Sequence, residues 1–416
     1  MLNDTPSMCL TSMELILEQN EVTMAMISLK LIATMVLWAF GPETPSTQVY
    51  RHDVEQDKAI AAIEAVGGKV DRIDGAFDID LSYKFNGGVE AALVHLSALK
   101  GIRRLDLRTS QITDDGLISL AGLEELQSLD LTNARITDAG LLHLARLRNL
   151  RSLRLRYVGI SDSGLTHLAG LKNLRLLDIQ NTKVTDAGLA QLIGLKSLDS
   201  LYLTGTRITD AGMAQIAEFK QLRSLNLNGT GVTNAGLVHL EGLTELRSLC
   251  LATEHVTDAG LVHLAKLKAL EELKPGFVTD AGLAQLAGLS RLRKLDLLAN
   301  PVTDAGLAQL AGLTELQWLC LARTRVTDAG LARLAGLKEI RFLDLLDTQI
   351  TDEGMTQLAG FEKINSINLD GTKVTDAGLT RLAGLKKLRS LTLSDTDVTD
   401  AGIRQLKKLL PEVKID

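Results

Sequence analysis

The chain has 416 residues, with 45 Lys and Arg against 51 Asp and Glu, so its formal net charge is only −6. This balance excludes a broadly basic nucleic-acid binder, although a local basic patch can still occur. Hydrophobic residues make up 45% of the chain and aromatic residues only 3%. That composition excludes wholesale disorder and predicts a large core of aliphatic side chains. Three cysteines without a CxxC pair exclude a disulfide scaffold.

The chain begins with an acidic stretch, which is followed by an apolar segment at 24–41. The apolar run after Lys30 has about ten residues, which is short for a membrane span of about 20. Its size matches the core of a signal peptide, with Lys30 as the positive flank, if translation starts at Met24 or Met26. Residues 1–50 are therefore predicted to be a leader that contains a signal-like or anchor segment and ends in a linker.

The same segment determines where we expect the protein to be located. A signal core or a membrane anchor would make the protein exported, periplasmic or membrane-anchored, and we favour this group of locations. The alternative is a cytoplasmic protein in which 24–41 is merely a buried helix.

Residues 51–100 are predicted to form an N-terminal cap, which the chain reaches through an extended linker around Pro45. The pattern predicts, in order, a helix at 58–66, strands at 70–73 and 77–81, and a degenerate helix at 89–99. Such a cap is needed if the apolar repeats that follow are stacked, because the first of them would otherwise expose its leucines.

Residues 101–416 form a tandem repeat of thirteen units, each of which begins with VTDAGL or a close variant. The acidic position of this segment, replaced once by Asn, falls at Asp114, Asp138, Asp162, Asp186, Asp210, Asn234, Asp258, Asp280, Asp304, Asp328, Asp352, Asp376 and Asp400. Successive members are 24 residues apart, except that Asp258 and Asp280 are 22 apart. Every unit has a glycine two residues after this position.

Two periodicities alternate within each unit. Leu189, Leu192 and Leu195 recur every three residues, as in a helix, whereas Leu177 and Ile179 alternate with polar neighbours, as in a strand. A unit of 24 residues cannot bury its own leucines, so the units are expected to stack. The predicted fold class is α/β, a curved solenoid with a parallel β-sheet on the concave side and short helices on the convex side.

The start of each helix has a physical explanation. Thr185 can cap the helix by accepting a backbone N–H, and Asp186 lies in the first turn, where the helix dipole favours a negative charge. Gly188 is a poor helix former, so its recurrence needs a reason. We expect that the helix packs so closely onto the strand layer that no Cβ fits there.

The core pattern LxxLxLxxT, for example Leu198, Leu201, Leu203 and Thr206, resembles the leucine-rich repeat superfamily. The VTDAGL helix start is similar to that of bacterial leucine-rich repeat proteins and of the repeat half of F-box leucine-rich proteins. The resemblance implies a non-enzymatic interaction scaffold or receptor that binds a protein on its concave sheet. The alternative that it implies is an F-box-like substrate adaptor of a ubiquitin ligase.

No motif in the sequence predicts an active site, a cofactor or a metal. Five of the seven histidines occupy one helical position that holds Gln or Arg in other units, which indicates a solvated helix face. The sequence has no HExxH, no GxSxG elbow and no GxxxxGK[ST] loop. The recurrent aspartates give only one carboxylate per turn, for which a role at the helix start suffices. We therefore expect no catalytic residue, no metal and no cofactor.

The candidate contact surface is the set of strand side chains that point away from the core. Its apolar group consists of Leu298, Trp318, Cys320, Phe342 and Leu346, with Tyr202 as a weaker candidate. Trp318 and Phe342 occupy a position that is serine in seven other units, and contiguous exposed apolar area is typical of a partner site. The alternative is drift on an unused surface.

A basic group on the same predicted surface is the second candidate. It consists of Arg104, Arg108, Arg154 and Arg156. Asp106 and Asp130 interrupt it, so the alternative is that these carboxylates neutralise it. We expect a monomer with a protein partner, without a nucleic-acid partner, and with a membrane association only through its N terminus.

The 22-residue unit near 258–280 is the one irregularity in the series. It has lost one strand leucine, and Pro275 cannot donate a hydrogen bond to a neighbouring strand. The sequence leaves two interpretations open: a tolerated deletion, or a bend that divides the arc into seven and six units.

Overall fold

The computed structural model describes residues 45–83 and 88–416. Within them, sixteen strands form one open sheet in which the strands follow each other in sequence order, β1 to β16. The hairpin of β1 and β2 is antiparallel, and every later pair is parallel, with equivalent residues opposite each other, as Leu201 lies opposite Leu225. Short helices connect the strands. The predicted α/β solenoid is confirmed.

The strands, β1 to β16 in chain order, are Lys69–Ile73, Ala76–Asp80, Ile102–Asp106, Ser128–Asp130, Ser152–Arg154, Leu176–Asp178, Ser200–Tyr202, Ser224–Asn226, Ser248–Cys250, Glu272–Lys274, Lys294–Asp296, Trp318–Cys320, Phe342–Asp344, Ser366–Asn368, Ser390–Thr392 and Lys414–Ile415. The α-helices are Pro45–Ala65, Val89–Leu93, Asp138–Leu141, Asp162–Leu165, Asp186–Leu192, Asp210–Ile216, Asp258–Leu261, Asp280–Leu286, Asp304–Leu307, Asp328–Arg333, Asp352–Leu358, Asp376–Thr380 and Asp400–Leu409. The 3₁₀ helices are Leu96–Ala98, Gly116–Leu120, Leu142–Leu144, Thr166–Leu168, Gly236–Gly242, Val262–Lys266, Ala308–Leu310 and Arg381–Gly384.

The core is a continuous stack of leucines between the sheet and the helices. The strand leucines Leu201 and Leu203 and the helix leucines Leu189 and Leu192 are completely buried. Burying one such side chain contributes about 1.5–3 kcal/mol, and each unit obtains this only from the units on either side. The buried hydroxyl of Thr206 donates to the Leu203 carbonyl at 2.6 Å, so this threonine is satisfied within its own turn, as are the threonines at the same position of six other units.

On the helical side, each unit is linked to the next by the recurrent aspartate. Asp186 accepts the backbone N–H of Thr209 at 2.9 Å and the hydroxyl of the same Thr209 at 2.6 Å. The Thr209 hydroxyl in turn accepts the N–H of Ala211, which confirms the predicted helix cap. The aspartate therefore does more than complement the dipole of its own helix, because it also holds the start of the following one.

The recurrent glycine has a different reason from the predicted one. A Cβ added at Gly188 would lie 2.4 Å from Oδ1 of Asp162, the aspartate of the preceding unit. The expected contact with the strand layer is therefore wrong: the glycine leaves room for the carboxylate that links the units. The same close approach recurs at Gly212, where a Cβ would lie 2.3 Å from Oδ1 of Asp186.

The residues before the first repeat cover its open end. The helix Pro45–Ala65 packs on β1 and completely buries Ala59 and Ile63. Glu90 accepts hydrogen bonds from both the N–H and the hydroxyl of Thr113, at 3.0 and 2.7 Å. It thereby links the cap to the first unit in the same way that the recurrent aspartates link successive units. The extended linker expected around Pro45 is not found, because the helix begins at that residue and runs across residue 50.

The apolar segment 24–41 lies outside the described residues. None of the helices in 45–83 and 88–416 combines the length and the apolarity needed to cross a bilayer.

Candidate partner-binding surface

Three residues of each unit point from the sheet toward the concave side. They are the residue before the central strand leucine, the residue after it, and the residue two positions further on, and we call the rows that they form across the sheet the first, second and third rows. On β12 they are Trp318, Cys320 and Ala322. The rows are straight because neighbouring strands pair in register, as Trp318 pairs with Phe342.

Trp318 and Phe342 stack on each other in the first row. Their ring centroids are 5.0 Å apart and their planes are inclined by 3°. The ammonium group of Lys294, one strand earlier, lies 4.8 Å from the centroid of the Trp318 ring. Both faces of the Trp318 ring are thus occupied, one by a cation and one by an aromatic ring. The two rings remain half-buried, so the sequence prediction that they lie outside the core holds.

The second face of Phe342 has a smaller neighbour. In the sheet register, Phe342 pairs with Ser366, which pairs in turn with Ser390. A serine side chain is too short to cover an aromatic ring, so the aromatic stack ends at Phe342 and leaves a shelf beside Ser366. This shelf beside Ser366 is the part of the first row where a side chain of another molecule could stack.

Cys320 does not belong to the exposed surface that the sequence predicted. It is only 4% exposed, because the side chains of the flanking second-row residues, Asp296 and Asp344, are longer and enclose it. Its thiol donates to Oδ2 of Asp344 at 3.6 Å. Burial raises the pKa of the Cys320 thiol to about 12, and the two nearby carboxylates act in the same direction. Cys320 and Cys250 are both free, as the sequence predicted.

The apolar group is also not contiguous. Leu298 and Leu346 lie in the third row, on either side of the buried Ala322, and Leu298 is 42% exposed. The third row is four residues along the strand from the first, or about 13 Å. The polar second row lies between them. The expected single patch is therefore an aromatic pair and a pair of leucines separated by acidic residues.

Tyr202 is half-buried in the second row, on β7, five strands before the aromatic pair on β12. Its hydroxyl accepts a hydrogen bond from Ser224 Oγ at 3.3 Å. At about 4.8 Å per strand, it lies roughly 24 Å from Trp318, too far to extend the same contact.

The four arginines of the basic group lie on β3 to β5 and just after them, and three of them have carboxylate partners. The closest ion pairs join Arg104 to Asp78 at 3.7 Å, Arg108 to Asp106 at 2.7 Å and Arg156 to Asp178 at 3.1 Å. Asp178 is buried, and this burial raises the pKa of its carboxyl group, although the charge of Arg156 opposes the shift. The ion pairs support the alternative that aspartates neutralise much of the group.

Arg154 differs from the other three: its Nη1 donates to Ser152 Oγ at 3.3 Å, and it has no ion pair in the described chain. It lines an open groove of about 740 Å³ together with Arg103 and Arg151, which sequence analysis did not single out. Both stand one residue before the first row, a position that we had not counted as part of the concave face. Five arginines and three aspartates line this groove, so it keeps a net positive charge.

Binding a metal ion would need several ligating side chains close together in the part of the chain that the structure describes. Across 45–83 and 88–416, no three His, Cys, Asp or Glu side chains come together in a group that could hold a metal ion. The histidine position on the helices remains a surface position, as His263 illustrates with a hydrogen bond of 2.8 Å between its Nδ1 and Glu241.

Comparisons with known proteins agree with this geometry. A family model described as "Leucine-rich repeat region" matches residues 118–409, and a second, described as "Leucine Rich repeat", matches residues 102–121. An internalin of Listeria monocytogenes has a similar structure, with a TM-score of 0.55 and 24% identity over 71% of this chain and 82% of that one. A leucine-rich repeat protein of Leptospira interrogans gives a TM-score of 0.54 and 19% identity over 80% of this chain and 86% of that one.

At these identities the two structural similarities concern the fold alone. No curated protein shows significant sequence similarity to the chain. The family model, in contrast, covers more than half of the 416 residues. The chain therefore belongs to the leucine-rich repeat family.

Proposed function

We propose that this protein is a non-enzymatic binding protein that holds a protein partner against its concave sheet, with Trp318 and Phe342 at the centre of the contact. Leucine-rich repeat proteins generally mediate protein–protein interactions and typically act as scaffolds without catalysis. The observation that carries the proposal for this chain is the stacked pair itself, two large rings in a row that is otherwise mostly serine.

The free energy of the aromatic pair supports this assignment. A half-buried Trp or Phe keeps apolar surface in contact with water, which costs about 25 cal/mol per Å². In seven other units, serine at the same position avoids this cost. A partner that covers the rings removes it, and aromatic residues with this kind of rigid, preformed stacking are typical of interface hot spots.

The shelf beside Ser366 indicates what the partner presents. A flat side chain would continue the stack on the free face of Phe342, in the way that Phe342 continues the stack on Trp318. Asp344 lies in the adjoining second row on the same strand as Phe342 and provides an acceptor. We therefore expect an arginine or an aromatic residue of the partner to stack there.

A capture experiment tests this function. Tagged wild-type chain, the double variant Trp318→Ala/Phe342→Ala and the variant Ser366→Trp are incubated with extract of the source cells, and captured proteins are quantified by mass spectrometry. Ser366→Trp keeps both rings but covers the free face of Phe342. The control is Ile118→Ala/Leu142→Ala, which removes exposed apolar side chains from the helical side.

The expected result is one or more proteins that wild type and control capture equally and that both concave-face variants lose at least tenfold. Equal capture by all four chains would reject the proposed contact. Because the altered residues are outside the core, all four should unfold at similar urea concentrations, which shows that any loss does not come from misfolding.

The F-box-type adaptor gains no support from the residues ahead of the repeats. Within 45–83 and 88–100 these form a helix, a hairpin and a short helix that continue the stack. Export remains a proposal that rests on the sequence of 24–41. N-terminal sequencing of the mature protein tests it, and a chain that still starts at Met1 in the cytosol would reject it.

A further inference from the structure

The 22-residue unit interrupts a ladder of backbone hydrogen bonds that runs along the turns after the strands. In a regular unit, two N–H groups of the turn donate to carbonyls of the next unit. Leu203 donates to Asn226 and Gly205 donates to Asn228, both at 2.9 Å. The first of these bonds recurs two strands later, where Leu251 donates to Lys274, and both recur beyond the irregular unit, where Leu297 donates to Cys320 and Ala299 to Ala322.

In the irregular unit both donors are missing. Pro275 stands where the first donor should be, and proline has no N–H, so the Asp296 carbonyl loses its partner. The residue that would supply the second donor is deleted. Among the described residues, the carbonyl of Leu298 accepts only a 3.4 Å hydrogen bond from the side chain of Asn300.

The missing residues leave a cavity of about 300 Å³ at this point of the stack. Its walls include Glu254, Lys274, Phe277, Asp296 and Leu298. Phe277 is 54% exposed at its mouth. The chain cannot fill this space by a larger residue in the turn: a Cβ at position 276 would lie 2.4 Å from the Val256 carbonyl oxygen.

The cavity has more acceptors than donors. Two backbone carbonyls that lack their usual donors, those of Asp296 and Leu298, belong to residues of its wall. Lys274 pairs with the Asp296 carboxylate at 2.8 Å, which leaves Glu254 as a carboxylate without an ion pair in the described chain. The lining therefore carries one net negative charge and unmet hydrogen-bond acceptors, and it is rimmed by apolar side chains.

We propose that this cavity, the turn pocket, receives a basic side chain of the protein partner, with arginine preferred over lysine. A guanidinium group has five N–H donors in a planar arrangement, which suits several acceptors at once. A volume of about 300 Å³ is at the lower limit of ligand sites and suits one side chain rather than a larger molecule. The inference rests on the proposed function and names a second point of contact for the same partner.

The position of the turn pocket fixes the spacing in the partner. The pocket lies at the junction of β10 and β11, and Phe342 is on β13, so the two contacts are two to three strands apart, about 10–14 Å across the sheet. The pocket also lies at the level of the third row, about 13 Å along the strands from the first row, so the direct distance is roughly 16–19 Å. An extended segment covers this distance in about five to six residues at 3.3 Å each. The partner segment should therefore carry its basic residue five or six positions from the side chain that stacks on Phe342.

A peptide library displayed on phage tests the inference on the full-length chain. Peptides are selected on wild type and then measured against a graft variant in which residues 274–277 are replaced by the six residues 202–207 of a regular unit. The graft restores both turn donors and fills the cavity, and leaves Trp318 and Phe342 in place. Glu254→Gln removes the unpaired carboxylate, and Glu245→Gln, which removes an exposed carboxylate before β9 in the same unit, is the matched control.

The expected result is a selected motif with one fixed Arg or Lys. Its affinity should fall at least tenfold on the graft and about threefold on Glu254→Gln, and stay unchanged on Glu245→Gln. Peptides without a basic residue, or peptides that bind the graft as tightly as wild type, would overturn the turn pocket. If those peptides still lose affinity for the Trp318→Ala/Phe342→Ala variant, the proposed function stands although the turn pocket is rejected. If the peptides lose affinity only for the graft and not for that variant, the aromatic contact is rejected instead.

Discussion

The carboxylate of Asp162 holds Thr185 of the following unit through both of its oxygens, with 2.7 Å to the backbone nitrogen and 2.6 Å to the hydroxyl. One residue thus ties two successive helix starts together. Asp162→Ala removes two charge-assisted hydrogen bonds, one from the partly buried backbone N–H of Thr185 and one from its hydroxyl. It should therefore lower the free energy of unfolding by about 1–3 kcal/mol. Urea unfolding followed by circular dichroism measures this difference.

Asp400 provides the matched control, because it is the aspartate of the last unit and has no hydrogen bond to a following threonine in the described chain. Asp400→Ala should cost only the interaction with its own helix dipole, about 0.3–1 kcal/mol. For Asp162→Asn, the loss in free energy of unfolding should lie between those of the two alanine variants. Asn234 occupies the same position in another unit and still forms hydrogen bonds with Thr257. Equal losses for Asp162→Ala and Asp400→Ala would show that the link between units contributes nothing.

Gly188→Ala should destabilise the chain even though alanine is the better helix former. The new Cβ would lie 2.4 Å from Asp162 Oδ1, so the carboxylate has to leave Thr185. We expect a loss of about 1–3 kcal/mol in thermal or urea unfolding, as for other overpacked sites. Gly336→Ala is the control: nothing lies within 4 Å of its added Cβ, and it should be neutral or stabilising by up to about 1 kcal/mol. A stable Gly188→Ala protein would contradict this role of the glycine.

Leu201→Asp should unfold several units together rather than one residue locally. Leu201 is completely buried, and placing a charge there costs several kcal/mol. Because each unit is stabilised by its neighbours, hydrogen exchange should accelerate in β6 to β8. Leu142→Asp, at a helix position that is 56% exposed, should leave exchange nearly unchanged. If β6 and β8 keep their protection from hydrogen exchange in the Leu201→Asp variant, stacking of the units is not the source of stability.

The Cys320 thiol should resist alkylation in the folded protein. With a pKa of about 12 instead of the ordinary 9.0, its thiolate fraction at pH 8 is about one in ten thousand rather than one in ten. Iodoacetamide should therefore react about a thousandfold more slowly at Cys320 in the native chain than in the chain unfolded in urea, as read by peptide mass spectrometry. The native rate should rise about tenfold for each pH unit up to the pKa. Equal rates in both states would contradict the burial.

Much of the fold was predictable because the units repeat. The leucine spacing alone indicates a strand and a helix in each unit, and the length of 24 residues, which all units but one share, implies equivalent residues opposite each other in the sheet. That register also predicts that Trp318 and Phe342 are neighbours. A Thr or Ser precedes every position of the recurrent aspartate series. Sequence analysis explained this hydroxyl only as a cap of its own helix, whereas it also binds the aspartate of the preceding unit.

Other features depend on neighbours that are not adjacent in the sequence. Alternation predicted an exposed Cys320, but the flanking Asp296 and Asp344 bury it. The same aspartates separate the aromatic pair from Leu298. The alternation of strand residues therefore predicted one apolar patch where the structure has two. For the turn pocket, the deletion and Pro275 were evident from the sequence, whereas the carbonyls that lose their backbone donors belong to the next unit.

Site-specific photo-crosslinking in living cells tests the central claim most directly. A photoreactive phenylalanine analogue replaces Ser366, beside the free face of Phe342, or Leu142 on the helical side. The account predicts a discrete covalent adduct with a second protein from position 366, its loss when Phe342→Ala is added, and no such adduct from position 142. Adducts that form equally at both positions, or only at position 142, would contradict a partner held on the concave sheet.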